Sequence, residues 1–259
     1  MLEHILYPIL QHGYNMCSKV SKNTIKAVQS LRYKYKFQEE RSDSEAAAEM
    51  RWLSGGEKVN WKQRDNRIVA LVAKWRYMNT AQVHYYLFSQ IGNGYAKAGE
   101  RLRSLTKRQK LKRTKVGREY VYHIENWDSK WLHWHEMCNY HIKLEKEKKT
   151  WEMLDYYLEF TAGDIRADMF VVKNNVVAKT KSKFFVEIDR ATNPFDKVSA
   201  YNQLFESRKW ARAWWADLNN EGVARFPHIV IVTVRPEAVE GCIRRENKNN
   251  LKFITEVIM

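Results

Sequence analysis

One apolar run, Phe184-Phe-Val-Glu-Ile-Asp-Arg190, constrains this chain more than any other segment. Its period of two makes it a strand, and positions two apart share a face. Glu187 and Asp189 therefore point one way, while Val186 and Ile188 point to the core. A second run, Ile165-Arg-Ala-Asp-Met-Phe-Val-Val172, opens with Asp168, and Phe195-Asp-Lys-Val-Ser-Ala-Tyr201 follows the first. Adjacent strands would bring Asp168, Glu187 and Asp189 together. Three carboxylates offer the hard oxygen donors that divalent cations take, and such a cation assists phosphodiester cleavage.

The preceding segment agrees with a polyanionic substrate. Ten basic residues lie between Lys97 and Arg118 (Lys97, Arg101, Arg103, Lys107, Arg108, Lys110, Lys112, Arg113, Lys115 and Arg118) against the single acid Glu100. A solvated face normally mixes both signs. The whole chain carries 45 Lys+Arg against 30 Asp+Glu, a net +15 that favours the same class of partner. Lys97, Arg101, Arg103, Lys107, Arg108, Arg113, Lys115 and Arg118 are the expected DNA-contacting set.

Four segments are expected. Residues 1–60 comprise a helical arm and a polar linker; Ile25, Val28 and Leu31 have helical spacing, and a short helix is expected around Glu45–Leu53. The arm reads equally as an accessory helix, a partner-binding arm or a DNA-contacting extension. Residues 61–125 read as three helices and a hairpin. Ile68, Leu71, Val72 and Trp75 form the stripe of the first helix. Asn79 or Thr80 caps the second, and Tyr95–Gln109 makes the third. Leu111–Ile124 alternates around Gly117. This order is that of a winged helix-turn-helix, whose third helix enters the major groove. Residues 126–150 form a connecting helix, on which His135, Cys138 and His141 read as core, not zinc ligands, because their spacing drifts around the helix.

Residues 151–259 form an α/β domain, so the chain is α+β overall. Strands are expected at Met153–Phe160, Ala167–Val172, Val176–Ala178 and Lys183–Ile188, with a turn at Lys173–Asn175 and a helix from Asp196 to Trp215. His228–Val234 is nearly all apolar, as a strand buried on both faces would be. Val239–Arg245 and Leu251–Val257 close the domain. No apolar run reaches the roughly 18 residues of a membrane span. Met1–Leu10, with Glu3, His4 and Pro8, is unlike a signal peptide. Three cysteines without paired spacing suggest no disulfide framework. A cytoplasmic protein without membrane contact is expected.

Asp168, Glu187-Ile-Asp189-Arg190, Lys197 and Tyr201 together resemble the PD-(D/E)XK nuclease superfamily. With the winged helix and connecting helix, residues 62–235 resemble the replication-relaxation family of plasmid and mobile-element proteins. Gln63-Arg-Asp-Asn-Arg-Ile68, Arg101-Leu-Arg-Ser-Leu105 and Val186-Glu-Ile-Asp-Arg-Ala-Thr192 carry that likeness. It implies an origin-like duplex DNA site, Mg²⁺ or Mn²⁺ held by Asp168, Glu187 and Asp189, and nicking or relaxation assisted by Lys197. Homodimers and replication or transfer proteins are the implied protein partners. Ala167 stands where the superfamily carries proline, and Asp189 where it carries lysine. Lys197 and Arg190 are the candidates to supply the displaced charge. The competing reading is a non-enzymatic replication initiator, regulator or relaxosome accessory whose nuclease-like domain is inactive.

Overall fold

Helix α1 (Trp61–Trp75) buries the Ile68, Val72 and Trp75 stripe completely. The computed structural model describes residues 61–218 and 222–258; the helices expected before residue 60 lie outside the described residues. Arg76 has a left-handed backbone, φ 61°, which ends α1 and turns the chain into the short strand β1 (Tyr77–Asn79). Asn79 then caps α2 (Thr80–Leu87). Its side chain accepts from Gln82 N at 2.9 Å, and the Gln82 side chain accepts from Asn79 N at 3.0 Å.

Helix α3 (Gly94–Lys107) starts at glycine for a steric reason: a Cβ at Gly94 would run into the carbonyl oxygen of Phe88. Strands β2 (Lys112–Val116) and β3 (Glu119–His123) form the expected hairpin, with Gly117 at φ 59° in its two-residue loop. β3 is also the middle strand of a three-stranded sheet, because β1 pairs along its other edge.

Helix α4 (Trp131–Glu147) buries Trp134, Met137, Cys138, Tyr140, His141 and Ile142. Such broad burial fits a helix covered on more than one side. The chain then builds a five-stranded sheet of order β10-β9-β6-β5-β4. Strands β4 (Glu152–Ala162), β5 (Ile165–Asn175) and β6 (Thr180–Asp189) run antiparallel. After β6 come α5 (Lys197–Glu206), the two-stranded pair β7 (Asp217–Leu218) and β8 (Ala224–Arg225), then β9 (His228–Thr233), α6 (Pro236–Glu246) and β10 (Phe253–Val257). β6, β9 and β10 are parallel neighbours, so the fold is of mixed α/β type.

Both faces of this sheet are buried. Phe170, Phe185, Ile229 and Ile231 pack with Tyr201, Leu204 and Val239. Met169, Val171, Val186, Ile188, Val230 and Val232 share one apolar cluster with Trp134 and Met137 of α4 and with Ile68 and Trp75 of α1. The core thus crosses the boundaries expected near residues 125 and 150, and the described residues fall in one compact unit, Asn60–Met259.

Two expected elements differ. The β5–β6 turn comes later than Lys173–Asn175, with Val176 and Val177 exposed in it. Their apolar character had read as a strand, but the ladder already closes at Asn175 and Thr180. The helix expected to reach Trp215 ends at Glu206. The segment at Val239–Arg245 belongs to a helix that begins at Pro236, where proline's missing N–H does no harm.

Candidate functional site

The sheet forks where the acidic residues lie. β5 and β6 pair as far as Met169 and Val186, then separate, while β6 continues along β9 through Asp189 and Thr233. On the other side of β5 the ladder also skips one pair, Glu159 and Asp168, between Leu158–Met169 and Phe160–Ala167. Glu159 has φ 49° there. Freed from the ladder, Asp168 fills the fork, its Oδ2 accepting from Ile188 N at 2.8 Å. His133 of α4 places Nε2 3.2 Å from Asp168 Oδ1.

Glu187 is 1% exposed and faces α5. It accepts from the buried Tyr201 hydroxyl at 2.7 Å and from the Lys197 ammonium. That ammonium also lies 4.0 Å from Asp168 Oδ1. Burial pushes Glu187 up to about 7, helped by the nearby Asp168 charge and opposed by Lys197 and Tyr201. Burial works against the Lys197 ammonium too, but Glu187 and Asp168 outweigh it and raise its pKa. At Asp168 burial is likewise overcome, by the His133 hydrogen bond and the Lys197 charge, and the pKa is lowered.

Asp189 does not join this group. Its carboxylate accepts from Thr233 Oγ1 at 2.7 Å and from Arg235 Nε and Nη2, both at 2.9 Å. It fastens the end of β6 to the β9–α6 corner. Glu187 and Asp189 do share a sheet face, but two strand residues advance about 6.6 Å. Over that distance the neighbour changes from α5 to Arg235. Arg190 lies near α4, where its charge opposes the rise that burial imposes on Glu136.

The donor set therefore does not fit Mg²⁺ or Mn²⁺ as the side chains stand. Two of the three expected carboxylates meet, and Lys197 already stands between them. Among the described residues, no set of three or more His, Cys, Asp or Glu side chains is placed to hold a metal ion. Cys138 and His141 are buried in the core around α4. The role of His133 had no signature in the chain, because its partner lies 35 positions on, across a helix–sheet contact.

The expected DNA-contacting residues divide into two groups. Arg101 donates to the buried Asp65 of α1 through Nε at 3.0 Å and Nη2 at 2.6 Å, and Arg108 binds the same carboxylate. These two arginines tie α3 to α1. Burial would raise the Asp65 pKa, but the two guanidiniums hold it below the usual carboxylate range. Lys97, Arg103 and Lys107 on α3, and Arg113, Lys115 and Arg118 on the hairpin, are exposed. Arg113 lies over the Tyr120 ring at 4.5 Å. None of these six forms a salt bridge among the described residues.

No described helix is long and apolar enough to cross a membrane. Comparison with family models, with curated proteins and with solved structures finds no match.

Proposed function

We propose that this protein binds duplex DNA, with α1–α3 and the β2–β3 hairpin acting as a winged helix-turn-helix. One observation carries this reading. Six of the eight expected DNA-contacting side chains are exposed and form no salt bridge among the described residues, while the other two, Arg101 and Arg108, fix α3 in place. In this reading α3 enters the major groove and the hairpin follows the phosphates. In this reading, which rests on the resemblance to the replication-relaxation family, such binding falls at a replication or transfer origin of a mobile element. The C-terminal domain then serves as a PD-(D/E)XK-like scaffold in which Lys197 supplies the positive charge, without metal-dependent cleavage.

Fluorescence anisotropy with a mixed-sequence duplex tests this. Replacing Arg103, Lys107 and Lys115 with alanine should weaken binding and make log K against log salt shallower by about 0.9 per lost phosphate contact. Unchanged affinity and slope would move the DNA surface elsewhere.

A nickase reading has one observation in its favour, the meeting of Asp168, Glu187 and Lys197 at the sheet fork. Supercoiled plasmid with Mn²⁺, with and without EDTA, separates the two readings. Nicking that EDTA and Glu187→Gln both abolish would replace the scaffold reading.

A further inference from the structure

The segment Ser207-Arg-Lys-Trp-Ala-Arg-Ala-Trp-Trp-Ala216 carries three cations, three tryptophans and no acid. Arg208, at φ 57°, turns the chain out of α5 into a single 3₁₀ turn, Lys209–Arg212. The segment is anchored on both sides of Trp214. Trp210 is buried, its indole N–H donating to Phe205 O at 2.9 Å and its ring stacked on Phe205. Trp215 is buried against Phe185. The Lys183 ammonium donates to the carbonyls of Trp214 and Ala216, at 2.8 and 2.7 Å. Between these anchors Trp214 is 58% exposed, its ring perpendicular to those of Phe160 and Phe170. Arg208, Lys209 and Arg212 are exposed as well.

We infer that this segment binds an unpaired nucleic-acid strand, with a base stacked on Trp214 and phosphates drawn by Arg208, Lys209 and Arg212. An exposed ring with cationic side chains close by in the chain is the arrangement that holds single strands without reading sequence. Duplex bases are stacked on one another and offer no free face to an indole. Charge favours the occupant: between Glu206 and Asp217 the segment carries three positive side chains and no negative one, which suits a polyanion. This surface is separate from α3 and the hairpin and takes a different form of nucleic acid, so the inference goes beyond the duplex reading.

The test uses the full chain and a fluorescein-labelled oligo(dT), read by anisotropy. Trp214→Ala should weaken oligo(dT) binding about tenfold, within the range expected for one stacked base. Trp214→Phe should restore most of the loss. Replacing Arg208, Lys209 and Arg212 with alanine should flatten the salt dependence by about 0.7 per lost contact. Duplex affinity should be unchanged by Trp214→Ala, and the variant should unfold in one transition somewhat below the wild type, since its ring contacts with Phe160 and Phe170 are lost. Equal oligo(dT) affinity of wild type and Trp214→Ala would overturn the inference. So would single-strand binding that disappears only with Arg103→Ala and Lys107→Ala. Loss of self-association in Trp214→Ala, with oligo(dT) binding intact, would instead assign the surface to a second copy of the chain.

Discussion

Lys197, in the first turn of α5, donates to the buried Glu187 carboxylate on β6, and its ammonium also lies 4.0 Å from Asp168. One side chain thereby contacts both of the expected metal ligands that meet. Where a divalent ion would draw the two carboxylates together, the ammonium already does so.

Replacing Lys197 with methionine keeps the stem and removes the charge. Breaking a buried pair costs about 3–5 kcal/mol. The Lys197 side chain is 34% exposed, and solvent screening should reduce the loss to about 2 kcal/mol. Thermal melts should show a fall of about 4–8 °C at this chain size. Mn²⁺ should then raise the melting temperature of the variant, because it binds the folded state in the vacated position. A wild-type shift as large as the variant's would mean that Lys197 does not occupy that position.

Glu187 gives the pH dependence a definite sign. Its pKa rises from 4.5 to about 7 on folding, driven first by burial. Between those values the folded protein keeps a proton that the unfolded chain has released. Its contribution to stability is therefore full below about pH 4.5 and is lost as pH climbs through about 7. Glu187→Gln removes this slope. Urea unfolding of both proteins across that window should show the wild type losing stability relative to the variant, and parallel curves would contradict the assignment.

Asp65 has the opposite sign. Its pKa is held below 3.8 despite burial because Arg101 and Arg108 both bind it. The contribution is present above pH 3.8 and is lost as pH falls through the folded value. Asp65→Asn should cost about 1–3 kcal/mol at neutral pH, and that difference should shrink in acid. Arg101→Ala should likewise lower stability while leaving the salt slope of duplex binding nearly unchanged. A slope change as large as that of Arg103→Ala would place Arg101 on the DNA instead.

The shared core predicts joint unfolding. Met137 is fully buried in the cluster that joins α1, α4 and the sheet. Met137→Ala should cost about 2–5 kcal/mol and lower one common transition, seen equally by far-UV circular dichroism and tryptophan fluorescence. Two transitions, with only one of them shifted, would show that the helical and sheet regions are independent.

Several elements were legible in the chain because local periodicity reports burial directly. The Ile68–Val72–Trp75 stripe forms α1, Gly117 turns the hairpin, and the His228–Thr233 run is an inner strand with alternate residues in two cores. β1 was not legible, since three residues carry too little pattern and their pairing depends on β3 being already in place. The end of α5 was equally hidden: spacing alone does not mark where the helix stops, and Trp210 and Trp215 are buried from a turn and a loop.

Residue order alone put Glu187 and Asp189 on one strand face, made α3 and the hairpin basic, and gave the sheet its apolar strands. These follow from period, charge and burial along the chain. Which charges face each other is set by packing. Asp65 meets Arg101 across 36 positions, and Asp189 meets Arg235 across 46. Lys197 reaches Glu187 because α5 packs over the sheet where β5 and β6 diverge. Spacing shows which way a side chain points, but its charged partner is set by helix packing and strand order, which bring distant parts of the chain within a few ångströms.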